Sequence, residues 1–343
     1  MLNLEENMNK KIIDMHVHFG APKDKESGCY WSEKFKKTAA YYAMLLLTKS
    51  LFKKVNLKRV KKHLFGQINS SQKVDKFVLL AMDQVYDEAG NVHPEWTHLH
   101  TPNSYLFKLA GENERILVGA SVHPYRKDWE DELNYCIDNN AVLCKWIPSS
   151  QLINPEHPKC TSFYKKLARH NLPLLCHAGP EYAIPTSKNH YNEYNNPSYL
   201  RKALDLGVTV IIPHCALPYF WFFDVDYQDD YDDFLKLFEE AENNNWNLYA
   251  DLSAIATPTR APYIDEILTK IPHEKLLYGS DYPIPISEFS YNKSKGFFSW
   301  LKFIFKAMFM KNQLDKNYLI IQEMGFNDCV FTNADKLFNK IMR

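Results

Sequence analysis

The amino-acid sequence predicts an α/β fold, a closed (β/α)8 barrel. Eight short runs rich in Val, Ile and Leu are spread along the 343 residues, and strands that are buried on both faces have this composition. Amphipathic helical stretches separate most of these runs. From the third run onward they recur about every 25–40 residues, which is the length of one βα unit in a parallel sheet.

Each predicted strand is an apolar run that ends at a turn. The eight predicted strands are residues 11–17, 76–83, 115–122, 141–147, 172–178, 208–214, 247–253 and 275–281. The clearest helical periodicity between them lies in residues 128–140, 160–171, 197–207 and 230–244. Strands and helices alternating in this order predict a TIM barrel.

The chain is longer than a minimal barrel of about 250 residues, so it must carry insertions. Residues 20–75, between strands one and two, are too long for a single crossover, and residues 283–315, after strand eight, are also long. Each follows the carboxyl end of a strand, the first or the eighth, and is expected over the barrel mouth. We therefore expect one domain over residues 1–343, with a mostly helical insertion at about 20–75 and a second insertion at about 283–315.

Composition and charge exclude several classes of protein. Lys plus Arg and Asp plus Glu number 41 each, so no net field favours nucleic acid or an anionic membrane. Seven cysteines without a CxxC motif are typical of a reducing cytoplasm. The first residues are charged and do not resemble a signal peptide. The longest apolar stretches, 39–47 and 296–310, are too short or too interrupted by lysine to span a bilayer.

Polar side chains stand at the carboxyl ends of five predicted strands. They are His16 and His18 on strand one, Lys145 on strand four, His177 on strand five, His214 on strand six and Asp281 on strand eight. His16 and His18 share the face of their strand with Asp14, because side chains alternate with period two. Catalytic residues gather at this rim of a barrel. Several histidines and a carboxylate suit zinc, and also manganese or ferrous iron.

Each residue taken alone has a plainer explanation. The His16–His18 pair could be two hydrogen-bonded strand histidines, and His177 a buried histidine bonded to a carbonyl. Asp281 could be a turn residue, and Lys145 a lysine whose amine reaches solvent. Their joint placement at strand ends, in this order, favours a metal site.

The motifs that carry these residues resemble the amidohydrolase superfamily. They are "DMHVHFG", "KW", "LLCHAG", "IIPHCA" and "LLYGSDYP". The pattern is most similar to the amidohydrolase-2 branch, which includes the aminocarboxymuconate-semialdehyde decarboxylase-like enzymes. The resemblance runs from residue 11 to "VFTNADKLFNK" at 330–340, which is similar to the closing helix of that branch. It implies a metal-dependent enzyme with one or two divalent ions, most often Zn²⁺, and a small-molecule substrate.

The resemblance also implies roles for individual residues. His16, His18 and Asp281 would bind one metal together with His177, and His214 would lie beside the metal's water or bind a second metal. Some members carry a carbamylated lysine that bridges two metals at the position of Lys145, whereas others use one metal. An unmodified ammonium beside a divalent cation is repelled. Lys145 is therefore carbamylated, or neutral through burial, or far enough away to bind a substrate carboxylate, which is the alternative we favour.

The expected reaction is hydrolysis of an amide, lactone or ester by activated water. Asp281 would act as general base and then acid, and His214 would orient the water or stabilise an oxyanion. Two alternatives remain: a non-oxidative decarboxylase of an aromatic or enoic acid, and a non-catalytic barrel that retains a metal.

Three further residues are candidates for the substrate pocket. His123 ends strand three, Glu181 follows His177, and Arg260 follows strand seven. Their plainer roles are those of a loop histidine, a partner that orients His177, and a solvated arginine at the start of a helix.

The insertions are rich in aromatic residues at 39–47, 216–225 and 296–310. Three interpretations are open: a packed extension of the core or a homodimer interface, a lid over an apolar substrate, or a shallow membrane contact. We favour the first and do not expect membrane contact.

Overall fold

Eight parallel strands form a barrel in the computed structural model, which describes residues 10–186, 191–217, 228–289 and 297–339. The strands are neighbours in chain order. They are β1 Ile13–His18, β2 Lys76–Leu80, β3 Ile116–Ala120, β4 Leu143–Trp146, β5 Leu174–Cys176, β6 Val210–Ile212, β7 Leu248–Asp251 and β8 Leu276–Leu277. Seven of the predicted strands contain one of them, and the first, residues 11–17, overlaps all of β1 except His18. The predicted fold class is therefore confirmed.

The barrel is brought to closure where the chain beyond β8 meets β1. Val17 and Tyr282 form a parallel bridge, and the amide of His18 donates to the carbonyl of Tyr282 at 2.7 Å. The amide of Asp281 donates to the carbonyl of His16 at 2.8 Å. The closing contact therefore holds the backbones of His16, His18 and Asp281 side by side.

Helices surround the barrel and follow its strands. They are α1 Ala39–Leu47, α2 Leu57–Ser70, α3 Asn103–Glu112, α4 Trp129–Asp138, α5 Cys160–Arg169, α6 Arg201–Asp205, α7 Gln228–Asn244, α8 Ile264–Lys270, α9 Phe297–Met308, α10 Gln313–Glu323 and α11 Cys329–Phe338. A further helical turn, Pro148–Gln151, follows β4. On α11, Ala334 and Phe338 pack with Ile13 and Met15 of β1 in the core inside the barrel.

The segment between β1 and β2 carries α1, α2 and the short strand Tyr30–Trp31, which pairs antiparallel with Leu99–His100 from the segment between β2 and β3. Thr38 and Asn56 begin the two helices, each with a side-chain oxygen that accepts from a backbone amide of the first turn. The aromatic segment predicted at 216–225 lies outside the described residues from 218 onward, as does residue 296 of the stretch 296–310. None of the described helices combines the length and apolar character needed to cross a membrane.

Candidate metal centre

Three side chains at the closing contact bring their donor atoms together. Nε2 of His16 lies 3.2 Å from Nε2 of His18 and 3.5 Å from Oδ1 of Asp281. Nε2 of His18 lies 3.0 Å from the same oxygen. His16 and Asp281 are buried, whereas the His18 side chain is 34% exposed, so one side of the group opens outward.

Asp251, at the end of β7, orients His16. Its Oδ2 lies 2.7 Å from Nδ1 of His16, and because a carboxylate only accepts, Nδ1 carries the proton. The lone pair of His16 is therefore on Nε2, the atom that faces His18 and Asp281. This is the arrangement in which a carboxylate supports a metal-binding histidine.

The spacing of these atoms fits one divalent cation. Ligand atoms about 2.0–2.2 Å from zinc, at angles near 90–110°, lie about 3.0–3.5 Å from one another. The three measured separations, 3.0, 3.2 and 3.5 Å, fall in that range. Among the described residues a second histidine and carboxylate group comprises His16, His214 and Asp251, but there Asp251 already accepts the Nδ1 proton of His16.

His214 lies next to this group. Its Nδ1 is 3.0 Å from the carbonyl oxygen of Ser253 and donates to it, so the lone pair is on Nε2, 3.7 Å from Oδ2 of Asp281. Its amide donates to Oδ1 of Asp251 at 3.0 Å. Burial lowers the pKa of His214 well below its ordinary value, which keeps the ring neutral.

His177 faces the same cavity but stands apart from the three close donors. Its ring centroid is 5.6 Å from that of His214. Its buried Nε2 makes no hydrogen bond, and the nearest carboxylate oxygen, Oε2 of Glu181, is 3.6 Å away. Burial, followed by the charge of Lys145, lowers the pKa of His177 to about 3. A buried nitrogen without a partner is costly, and a metal ligand role for His177, as the resemblance implies, would supply that partner.

Three further predicted residues line the cavity. Lys145 is buried on β4, and burial lowers the pKa of its amine while Asp251 and Asp281 act in the opposite direction. Glu181 accepts from the amides of Ala183 and Ile184 through Oε1, and burial raises its pKa. Arg260 donates from Nε to the carbonyl of Leu217 at 3.0 Å.

His123, which was predicted to line the pocket, is not among the residues that line this cavity. Its Nε2 lies 2.9 Å from the carbonyl oxygen of Gln151, and its Nδ1 accepts from the amide of Tyr125 at 3.1 Å. Both nitrogens are used in backbone hydrogen bonds, which is the role of a structural histidine.

Sequence reasoning did not single out Asp251 or Ser253. Ser253 places its Oγ 3.1 Å from Nδ1 of His16 and 2.7 Å from Nδ1 of His214, and it donates to Asp251. An indication was present in "NLYADLS", where one acidic residue ends a predicted strand, as Asp281 does.

The donors line one part of a cavity of about 1430 Å³, including its open mouth. The polar lining consists largely of the residues described above. Much of the remaining wall is apolar and comes from the segment between β1 and β2, including Trp31, Phe35, Met44, Val55 and Val60. The site therefore joins a polar, metal-binding end to an apolar chamber.

The fold and the donor group define a TIM barrel with a candidate metal site at its mouth. A family model described as Amidohydrolase matches residues 70–303, and the chain belongs to that family. The match begins after His16 and His18, which the structure adds to the site. None of the curated proteins compared with the chain matches it.

Solved structures of similar fold include enzymes of two reaction types. An uncharacterised TIM-barrel protein from Bordetella bronchiseptica has a TM-score of 0.57 at 14% identity, covering 97% of this chain and 100% of that one. A probable 2-pyrone-4,6-dicarboxylic acid hydrolase from Acinetobacter baumannii has a TM-score of 0.54 at 17% identity, covering 96% and 99%. A 5-carboxyvanillate decarboxylase from Sphingomonas paucimobilis has a TM-score of 0.51 at 10% identity, covering 96% and 99%.

Proposed function

We propose that the protein is a metal-dependent hydrolase that uses water to cleave an amide, lactone or ester bond in a small-molecule substrate. The observation that carries the proposal is the convergence of donor atoms of His16, His18 and Asp281 within 3.5 Å of one another at a cavity. Zinc is the proposed metal, because histidine and carboxylate ligands at these spacings suit it. When bound, it would polarise a carbonyl oxygen and lower the pKa of a water molecule.

Asp281 is the proposed general base. Its Oδ1 is in contact with His18, so Oδ2 remains to accept a proton from water and later deliver it to the leaving group. Burial acts against ionisation, but the hydrogen bond with His18 helps to hold the pKa of the Asp281 carboxyl below its usual range. The group is therefore a carboxylate at neutral pH, as a base must be.

His214 is proposed to orient the water. Its neutral ring presents a lone pair at Nε2 near Oδ2 of Asp281, so it can accept a hydrogen bond or bind a metal. In this tautomer Nε2 has no proton to donate. Stabilisation of an oxyanion, the other role expected of His214, therefore requires a different donor.

Lys145 is proposed to bind an anionic group of the substrate. Its amine is buried at the cavity, and an ammonium there gains from a carboxylate partner. The names of two structural neighbours, a dicarboxylic acid hydrolase and a carboxyvanillate decarboxylase, both refer to carboxylic acids, which supports a carboxylate-bearing substrate.

The proposed function is tested with purified protein, its metal content, and a panel of esters, lactones and N-acyl amides. We expect a stoichiometric divalent metal, loss of hydrolysis on chelation, and recovery when zinc is restored. Asp281→Asn should keep the fold and lose about 10²–10⁴-fold in turnover. The exposed Asp131→Asn on α4 is the matched control and should retain full turnover. Full activity of Asp281→Asn, or protein without stoichiometric metal, would contradict the proposal.

Decarboxylation is the second candidate, and the buried Lys145 favours it because it could hold the carboxylate of an aromatic acid. There a group in its protonated form would deliver a proton to the carbon that loses CO₂, and Asp281, as a carboxylate, would not be that donor. Labelled water distinguishes the two: hydrolysis places heavy oxygen in the product, whereas decarboxylation releases CO₂ and places a solvent proton on carbon.

A further inference from the structure

The loop between α1 and α2, residues 48–56, forms part of the rim of the cavity; we refer to it as the rim loop. Thr48, Ser50 and Val55 line the cavity. The residues between them, 51–54, are exposed, and the Phe52 side chain is 95% exposed. A phenylalanine held in water at a cavity entrance gains free energy only when something apolar covers it.

The rim loop has a defined conformation. Nε of Arg59 donates to Oγ of Ser50 at 3.1 Å, and its Nη2 donates to the carbonyl of Lys49 at 3.1 Å. The amide of Ser50 donates to the carbonyl of Leu45 at 2.7 Å. These bonds hold the start of the loop against α1 and α2, and Phe52 lies just beyond them with its side chain exposed to water.

The charge of this region is one-sided. Residues 34–74 contain eleven Lys or Arg and no Asp or Glu, although the whole chain is neutral. Lys49, Lys53, Lys54 and Lys58 are exposed around the tip. Lys61 pairs with Glu112 of α3 at 2.5 Å and is therefore not counted with them.

We propose that the rim loop docks on an anionic lipid bilayer, with Phe52 entering the interface and the exposed lysines facing lipid phosphates. Lysines near an anionic bilayer attract it, and exposed aromatic residues lie at its interface. A second copy of the chain is disfavoured as the occupant. A two-fold interface would place this patch against itself, so that Lys49, Lys53, Lys54 and Lys58 would face the same four lysines of the other copy.

The apolar chamber behind the rim loop indicates the class of substrate that a protein docked on a bilayer would take. The substrate class assigned here rests on the proposed function. The substrate is an amphiphile whose hydrocarbon part lies against Phe35, Met44 and Val60 and whose carbonyl group reaches the metal centre. This departs from the expectation, based on overall neutrality, that the protein makes no membrane contact. The second insertion repeats the combination: Phe298, Phe305 and Phe309 are exposed on and just after α9, alongside Lys302 and Lys306.

Vesicle co-sedimentation tests docking without requiring activity. The full chain is mixed with phosphatidylcholine vesicles or with vesicles that also contain phosphatidylglycerol. We expect binding only to the second kind. Lys53→Glu/Lys54→Glu should weaken it about 30-fold or more, and Phe52→Ser should also weaken it. Lys165→Glu/Lys236→Glu makes the same change of net charge on α5 and α7 and should bind as the wild type does.

Three results would overturn docking on lipid. The first is no preference for anionic vesicles, and the second is equal weakening of binding by the two charge reversals. The third is wild-type binding by Phe52→Ser, which would indicate that the loop binds a polyanion and that Phe52 enters no apolar layer. A concentration-dependent dimer in light scattering that Phe52→Ser abolishes would assign the loop to a second copy instead.

The substrate class is tested by displacement of a fluorescent fatty acid from the cavity. We expect fatty acids to compete better as their chains lengthen, and Met44→Trp, which fills the chamber, to weaken the probe at least tenfold. Phe52→Ser should bind the probe normally. Failure of the probe to bind would overturn the amphiphile assignment, whereas lost hydrolysis with normal probe binding would overturn only the proposed reaction.

Discussion

Asp251 holds two parts of the candidate centre at once. One carboxylate oxygen accepts from the His16 ring at 2.7 Å, and the other accepts from the amide of His214 at 3.0 Å. Its pKa is lowered even though burial acts to raise it, because His16 lies beside it. The residue thus determines both the tautomer of His16 and the position of His214.

Replacing Asp251 with Asn should weaken metal binding. The amide can present a donor to Nδ1 of His16, which removes the preference for the tautomer whose lone pair is on Nε2. We expect about 10–100-fold weaker zinc affinity, the usual effect of losing such a partner, measured by chelator competition. Asp131→Asn serves as control. Unchanged zinc affinity in Asp251→Asn would show that Asp251 does not support metal binding by His16.

Buried neutral histidines predict a loss of stability in acid. Burial lowers the pKa of His123 from 6.5 to about 4, so below pH 6.5 the unfolded chain binds a proton that the folded chain does not. This contribution to the free energy of unfolding is fully present above about pH 6.5 and is lost as the pH falls. The loss amounts to about 3 kcal/mol by pH 4.

The test is urea unfolding of the metal-free protein between pH 7 and 4. Gln cannot ionise, so the free energy of unfolding of His123→Gln should fall less steeply with decreasing pH. The difference in slope should correspond to the uptake of up to one proton fewer on unfolding. Parallel slopes for the two proteins would show that His123 is protonated in the folded state.

At the scale of elements, the site lies just beyond the strands rather than within them. The predicted strands ended at residues 178, 214 and 281, whereas β5, β6 and β8 end two, two and four residues earlier. His214 and Asp281 have φ of 57° and 59°, in the left-handed region that side chains with a Cβ rarely adopt. These turns aim the side chains inward, and an apolar run gives no indication of them.

Helix α10 is tied to the start of β2 by one carboxylate. Asp315 accepts from Oγ of Ser71 at 2.6 Å and from the amides of Gln72 and Lys73 at 2.9 and 3.1 Å. Asp315→Ala would leave these donors without an acceptor, and we expect it to reduce the free energy of unfolding by about 2–4 kcal/mol. Asp315→Asn keeps one acceptor oxygen and should lose less; urea denaturation measures both, and equal losses would contradict this account.

For the whole molecule, closure of the barrel is what creates the candidate centre. His16 and Asp281 are 265 residues apart in sequence, yet the bridge between Val17 and Tyr282 places them together. A metal shared between the two ends of the barrel should therefore stabilise the closed fold. Zinc at 100 times its Kd should add about 2.7 kcal/mol to the free energy of unfolding.

Thermal unfolding with and without chelator measures this coupling. We expect chelation to lower Tm and zinc to restore it, with a smaller response in His18→Ala, which removes one donor. An equal response in that variant would place the metal elsewhere.

The net charge of the whole chain concealed an asymmetry. Equal numbers of acids and bases predicted no attraction to anionic surfaces, but the basic residues are concentrated in the insertion after β1. Whole-chain charge is an average, whereas a surface responds to the charge nearest to it.

The sequence alone determined the eight strands, their order and the identity of the residues at their ends, because buried parallel strands are apolar runs that can be recognised locally. It also indicated His16, His18 and Asp281 as a group. Only the tertiary structure decided which donor atoms lie within contact distance, that His177 stands apart from the closest three, that Asp251 orients His16, and that both ring nitrogens of His123 bond to the backbone. These are consequences of closure and of left-handed turns after the strands, and both depend on contacts between residues far apart in the chain.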